Sequence, residues 1–382
     1  MAPSPEISSQ GVSSSWLTWD ELTPGFQEEW RELCRHSDAA SPFQTPEFFL
    51  PAMKHLPGLH PPLVFSARAN GHLVGLGLFS VVASSLRMPL PHLRCWQTPH
   101  TFCDGMVLRA GFEELVLQTF FSQIVSEGRW HAVEFPRCPV DDMGSVLADQ
   151  AADEVGVRTY HGTCWERAAL RIPDAGEATL LRSVSLARSR SLRRGIKELR
   201  KHGDVHFDSE RDPRRIPGCL EELLRLEHLG WKGELHTSLA SEESSSRFFR
   251  DAVLAMAEED RCAFSRLRVR DRTVASVVHF LAGNAAYAFK LGWDPEFERG
   301  CPGFLIKAQM VAEAPQIFPE RDLIDSCAST GSFIERVWPH RRGYCLKLFA
   351  TSSIGQASAQ VMSGLRRLKR KTKELSSRFW PR

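Results

Sequence analysis

The chain has 382 residues, of which 42% are hydrophobic and 25% charged. These proportions exclude the disordered, collagen-like and fibrous classes, and the length exceeds what a single core usually fills, so two domains are expected. The net charge of +2 conceals a division, because residues 182–201 and 364–382 each hold eight Lys or Arg against one acid, which leaves the remainder acidic.

The longest apolar run, 74–83, is interrupted by Gly75 and Gly77 and is far shorter than the roughly 20 residues needed to cross a bilayer. Residues 1–15 have neither the basic start nor the apolar block of a secretory signal, so they read as a flexible polar leader and the expected location is cytoplasmic. Ten cysteines are scattered singly with no CxxC pair. Reduced thiols are therefore expected, with no disulfides and no metal site.

In chain order, a strand-like run at 16–19 precedes a helix opened by Pro24, whose Phe26, Trp30 and Leu33 are spaced for one face. A second helix follows Pro46. Two strands, 63–68 and 72–84, flank Asn70-Gly71, the signature of a type I′ hairpin, and the glycines in the second strand predict a bulge. A helix at 113–126, a strand at 131–135, a helix at 140–154 and a long strand at 157–172 follow. Pro173-Asp174-Ala175-Gly176 then breaks the pattern and places a boundary at 160–176.

The second half repeats this order without repeating the sequence. A basic helix (177–202), a strand (205–208) and helices at 216–230 and 241–258 lead into three strands, 262–268, 273–281 and 285–293. A helix at 303–314 and strands at 323–327 and 344–350 complete it. Both halves read as α/β domains with mixed sheets.

The most informative stretch starts at Lys290, where a strand ends in a Gly/Pro-rich turn that opens directly into a helix. Such a turn offers backbone N–H groups and a positive helix end to an anion. Pro302 at the first helical position gives up no useful donor, and Gly300 and Gly303 admit a phosphate close to the backbone. A plain strand-to-helix connection accounts for the same residues.

Four stretches, Ser41-Pro-Phe-Gln-Thr-Pro-Glu-Phe-Phe, Leu226-Glu-His-Leu-Gly-Trp-Lys-Gly, the strand-turn-helix just described, and Ile324-Asp325 followed by Phe333 to Trp338, together resemble the BioF2-like, CelD-type acyltransferases of the GCN5-related N-acetyltransferase (GNAT) superfamily, relatives of the FemAB ligases. The resemblance implies two tandem GNAT-like domains of the α/β (α+β) class, with mixed, mostly antiparallel sheets flanked by helices. The expected partition is 16–172 for the first domain, 176–363 for the second and 364–382 for a basic helix or tail. It also implies that Arg299, Gly300, Cys301, Gly303 and Phe304 hold the pyrophosphate of an acyl-CoA co-substrate. From Arg299 the sequence runs Arg-Gly-Cys-Pro-Gly-Phe, which departs from the superfamily signature Arg/Gln-x-x-Gly-x-Gly/Ala.

An ammonium acceptor must lose its proton before it attacks a thioester. Glu227, His279 and Asp294 are the candidate bases. Against these roles, His279 shares a strand face with Val277 and Leu281 as a core histidine would, and Asp294 sits where it would cap the Pro295 segment. Trp231, Lys232, Tyr287 and Lys290 are candidate substrate contacts, although alternation groups Tyr287 with Phe289 and Leu291 as packing residues. Cys301 has no neighbouring histidine in sequence to activate it, which disfavours a covalent route.

The leading expectation is acyl transfer from acyl-CoA to a small-molecule, glycan or amino acceptor by direct attack in a cleft between the domains. Two alternatives stand beside it: a FemAB-like ligase using aminoacyl-tRNA, with the basic segments on RNA, and a non-catalytic partner in polysaccharide or envelope biosynthesis. The basic C-terminal segment, with Phe379 and Trp380, suits an anionic membrane surface.

Overall fold

The structure, a computed structural model, describes residues 11–38, 41–183, 185–229, 235 and 238–379, with side chains described as far as Arg366. It contains two compact units, and they are not successive halves of the chain. The first comprises residues 1–39, 60–164 and 344–382, and the second comprises 40–59 and 165–343.

In the first unit a mixed sheet runs in the order β1 (Val12–Leu17), β2 (Leu63–Ala69), β3 (His72–Val82), β4 (His92–Cys95), β6 (Ala132–Pro139) and β13 (His340–Ala350), with β5 (Val107–Leu108) beside β3. Only β4 and β6 pair in parallel. The Asn70-Gly71 hairpin forms as expected, with both residues at positive φ, +49° and +82°. The expected bulge in the second strand is present at Val74, since Ala67 faces Gly75 while Arg68 faces Leu73. Helices α1 (Pro24–Arg35), α3 (Glu113–Glu127) and α4 (Met143–Glu154) belong to this unit. Trp16 sits on β1 among Phe65, Phe79, Phe120 and Trp130, with edge-on rings 5.1–6.2 Å apart. Its indole N–H donates to Glu127 at 3.0 Å, so the polar end of the half-buried ring is satisfied.

The long strand β7 (Arg158–Arg171) leaves the first unit after Cys164, and β13 re-enters it at Tyr344. Cys164 and Cys345 form a disulfide, which corrects the expectation of reduced thiols throughout. The two cysteines lie 181 residues apart in sequence, a pairing that no local spacing announces.

The second unit has the sheet order β7, β12 (Leu323–Asp325), β11 (Ala285–Trp293), β10 (Arg272–Ala282), β9 (Cys262–Val269) and β8 (Val205–Glu210). All neighbours are antiparallel except β11 and β12. Helices α5 (Glu177–Ser183), α6 (Leu186–Arg200) and α9 (Pro302–Ile317) belong to one side of the unit, while α2 (Pro46–His55), α7 (Ile216–Leu229) and α8 (Glu243–Glu258) belong to the other. The single basic helix expected at 177–202 is two helices, and Ser185 caps the second by accepting from Arg188 N at 3.4 Å.

Aromatic burial explains why residues 41–59 join the second unit rather than the first. Phe43, Phe48 and Phe49 have no solvent exposure, and the Phe48 ring meets those of Phe43, Phe248 and Phe289 at 5.1–6.2 Å. Lys54 adds an ion pair to Asp251 at 2.9 Å, and His55 Nε2 lies in hydrogen-bond contact with the same carboxylate at 2.7 Å. Phe48→Ala therefore removes a filled aromatic contact and is expected to cost about 3–5 kcal/mol in denaturant unfolding. A loss below about 1 kcal/mol would contradict this packing role.

Candidate active site

Two features of β11 shape the site. Its parallel pairing with β12 is confined to Ala285–Tyr287 against Leu323–Asp325, so β11 continues to Trp293 alongside β10 alone. In the β10 register Val278 faces Lys290 but His279 faces Ala288, which makes Phe289 a bulged residue. The bulge reverses the alternation. Tyr287 and Phe289 therefore pack with Phe43, whereas Leu291 and Trp293 turn to the face that carries α9. The expected grouping of Tyr287 and Phe289 with Leu291 is thus corrected.

After Trp293, Asp294 caps a short 3-10 turn, Pro295–Gly300, by accepting from Glu296 N at 3.1 Å. Cys301 then adopts left-handed φ/ψ of 49° and 52°, and its carbonyl accepts from the amides of Phe304 and Leu305 at 3.0 Å as α9 begins. Gly300 packs closely against α6. A Cβ on it would lie 2.4 Å from Leu199 Cδ2, and a Cβ on Gly195 would lie 2.6 Å from the Gly300 carbonyl oxygen. The turn and α6 thus touch backbone to backbone. Gly303 lies against the Trp293 indole, where a Cβ would sit 3.2 Å from Cδ1.

A cleft of about 430 Å³ opens at this turn, and Arg188, Ser191, Trp293, Glu298, Cys301, Pro302, Gly303, Phe304, Phe333 and Arg336 line it. Arg188 Nη1 donates to the Arg336 carbonyl at 3.3 Å, tying α6 to the 3-10 segment Phe333–Arg336. Two guanidiniums and one carboxylate, Glu298, line the cleft beside the head of α9, and three aromatic rings give it apolar walls. Chemically this suits an anionic, partly apolar ligand.

The expected site residues distribute unevenly around this cleft. Cys301, Gly303 and Phe304 line it; Arg299 is exposed and lies off it, and Gly300 is buried beneath α6. Glu227, His279, Asp294, Tyr287 and Lys290 are not among its lining residues. Glu227 is buried at the end of α7, where its Oε2 accepts from Leu239 N at 3.0 Å. Asp294 takes its capping role and also receives Arg272 at 2.6 Å. His279 is fully buried, with Nε2 3.1 Å from Ser265 Oγ. Burial, with Lys307 and Arg211 nearby, holds its pKa well below the usual histidine value. Lys290 Nζ lies 5.3 Å from the Phe289 ring centroid, and the Tyr287 hydroxyl accepts from Arg342 at 3.2 Å. Trp231 and Lys232 lie outside the described residues. The three expected bases are thus not assembled into one group.

Sequence reasoning missed Arg188, Ser191, Trp293, Glu298 and Arg336, whose proximity comes from tertiary packing. It also missed a buried cluster in which Arg167 Nε meets Asp325 at 2.8 Å and Arg342 Nη1 approaches the same carboxylate at 3.7 Å. The signal available was Ile324-Asp325 followed by Phe333 to Trp338, which marks both places. Lys307 is a further buried group, one turn beyond Gly303 on the same side of α9, with Nζ 5.1 Å from the Trp338 ring centroid. Burial pulls its pKa down to about 7, against a smaller opposing effect of Cys327. Among the described residues it has no carboxylate partner, and none holds a group able to bind a metal ion.

The segment from the start of α6 to β12, residues 187–324, matches the family model of the acetyltransferase (GNAT) domain. The matched residues belong to the second unit. A solved structure of FemX is similar to this chain at 13% identity, with a TM-score of 0.52, covering 87% of this chain and 96% of that one, which shows a shared fold. L-PGS from Bacillus licheniformis follows at 14% identity and a TM-score of 0.49, covering 91% and 98%. A tandem GNAT protein from the clavulanic acid biosynthesis pathway has 11% identity and a TM-score of 0.40, covering 89% and 100%. No curated protein matches this chain by sequence. The matched segment contains the whole β11–turn–α9 unit. Among the described residues no helix is long and apolar enough to cross a membrane.

Lys307 yields a pH test. A lysine in the unfolded chain keeps its proton up to about pH 10.4, while the folded one releases it near pH 7. Between these values the unfolded state binds the extra proton, so stability rises with pH by about 1.4 kcal/mol per unit. Lys307→Met is expected to flatten that slope and to raise stability at pH 7, read by unfolding at several pH values. Parallel profiles for the two proteins would contradict the burial of a neutral amine.

Proposed function

We propose that the second unit transfers an acyl group from a phosphate-bearing thioester, most simply acyl-CoA, to an amine or hydroxyl acceptor by direct attack. The observation that carries this reading is the cleft at the head of α9, where the helix start, Arg188 and Arg336 converge beside Trp293, Phe304 and Phe333. Phosphates of the donor neutralise against the arginines and the helix end, and the aromatic walls take the apolar arm and exclude water from the thioester. The acceptor nitrogen or oxygen forms its bond to the carbonyl carbon, the C–S bond breaks, and the acceptor proton leaves. The thiolate is then protonated. Positioning supplies much of the acceleration in such a two-substrate reaction.

A second reading keeps the cleft but places there the end of an aminoacyl-tRNA, and the exposed Arg190, Arg193 and Arg194 of α6 favour it. The two readings separate by titration. Under the first, acyl-CoAs raise the melting temperature of the protein, and Arg336→Glu weakens their binding by about tenfold or more without changing the unfolding of the free protein. Under the second, acyl-CoAs have no effect and tRNA binding falls steeply with salt. If no acyl-CoA of any chain length shifts the melting temperature, the first reading fails.

A further inference from the structure

The helix α10 (Ser353–Phe379) follows β13 in the first unit and leaves an apolar side uncovered. Ile354, Val361 and Leu365 are 61%, 60% and 49% exposed. At about 100° per residue the three fall within a sector of about 40°. Leu368 and Phe379 continue the same register in the sequence, with Leu375 at its border. The stripe does not turn inward, because the helix is seated by another side. Ala359 is fully buried, and Gly355 is so close to the His131 carbonyl that a Cβ there would overlap it.

Charge flanks the stripe. Between Arg366 and Arg378 seven positions are Lys or Arg against one acid, Glu374, and all of them lie outside the apolar sector. The cationic character extends beyond the helix. Arg87 is close enough to Arg366 to oppose its charge, and Arg87 and Arg94 share the buried Glu134 at 3.0 and 2.7 Å. Beside Arg87, Leu86 stands 88% exposed at the tip of the β3–β4 connection. An RNA phosphate backbone would match the basic positions but would leave the apolar stripe in water. A lipid surface with anionic headgroups matches both, since it offers an acyl boundary beneath a layer of phosphates.

We propose that α10 lies in the plane of an anionic lipid bilayer surface, with the Ile354–Val361–Leu365 stripe at the acyl boundary and its basic flanks on headgroup phosphates. The inference stands independently of the donor assigned to the second unit. It is tested by sedimenting the full chain with vesicles of phosphatidylcholine alone or mixed with phosphatidylglycerol. Binding is expected to appear with phosphatidylglycerol and to fall with salt. V361D combined with L365D is expected to lower it by about tenfold or more while leaving thermal unfolding unchanged, since both positions are exposed. Equal binding to both vesicle types, absence of binding, or binding unaffected by V361D/L365D would overturn the proposal. So would a change of the double variant from dimer to monomer with no vesicle binding in either protein, which would make a second copy the occupant.

Discussion

At Gly195 and Gly300 a helix and a turn meet with no side chain between them. The candidate site depends on that approach. Because β11 outruns its pairing with β12 at Tyr287, the turn after Trp293 has no sheet neighbour on that side and takes its support from α6. Arg188, Ser191, Gly195 and Leu199 follow one another at three-, four- and four-residue steps along one face of α6. Seating Gly195 on the turn and Leu199 beside Gly300 therefore brings Arg188 and Ser191 to the cleft wall.

Electrostatics divides the second unit into spent and available charge. Asp294, Arg272 and Glu296 neutralise one another around the cap of the turn, and Arg167, Arg342 and Asp325 interact inside the sheet. Arg188 and Arg336 reach the cleft instead, beside Gly303 at the start of α9. This division separates the residues that hold the turn in shape from those that line the cleft.

Much of the local structure was legible in the sequence. Asn70-Gly71 specifies its hairpin through positive φ, Phe26, Trp30 and Leu33 specify the buried side of α1, and Pro302 marks the start of α9. The strand-turn-helix that carries the candidate site was visible for the same reason: its signals are Gly and Pro at fixed local positions. The packing role of Gly300 is not legible locally, because its partner, Leu199, lies about a hundred residues upstream and nothing near Gly300 reveals it. The bulge at Phe289 likewise depends on the β10 register, and one inserted residue exchanges the faces of Tyr287 and Leu291. Residues 41–59 and the Cys164–Cys345 disulfide show the same limit, since each is fixed by partners far away in the chain.

Among the free cysteines of the described residues, Cys301 alone is exposed, and it stands on the cleft wall. Its alkylation rate, followed by mass spectrometry of the peptide containing it, therefore reports occupancy of the cleft directly. The account predicts that saturating acyl-CoA slows alkylation of Cys301 by about tenfold or more while the unfolding curve without ligand shows an intact fold. An unchanged rate at a concentration where acyl-CoA is shown to be bound would place the donor elsewhere and contradict the assignment of the cleft.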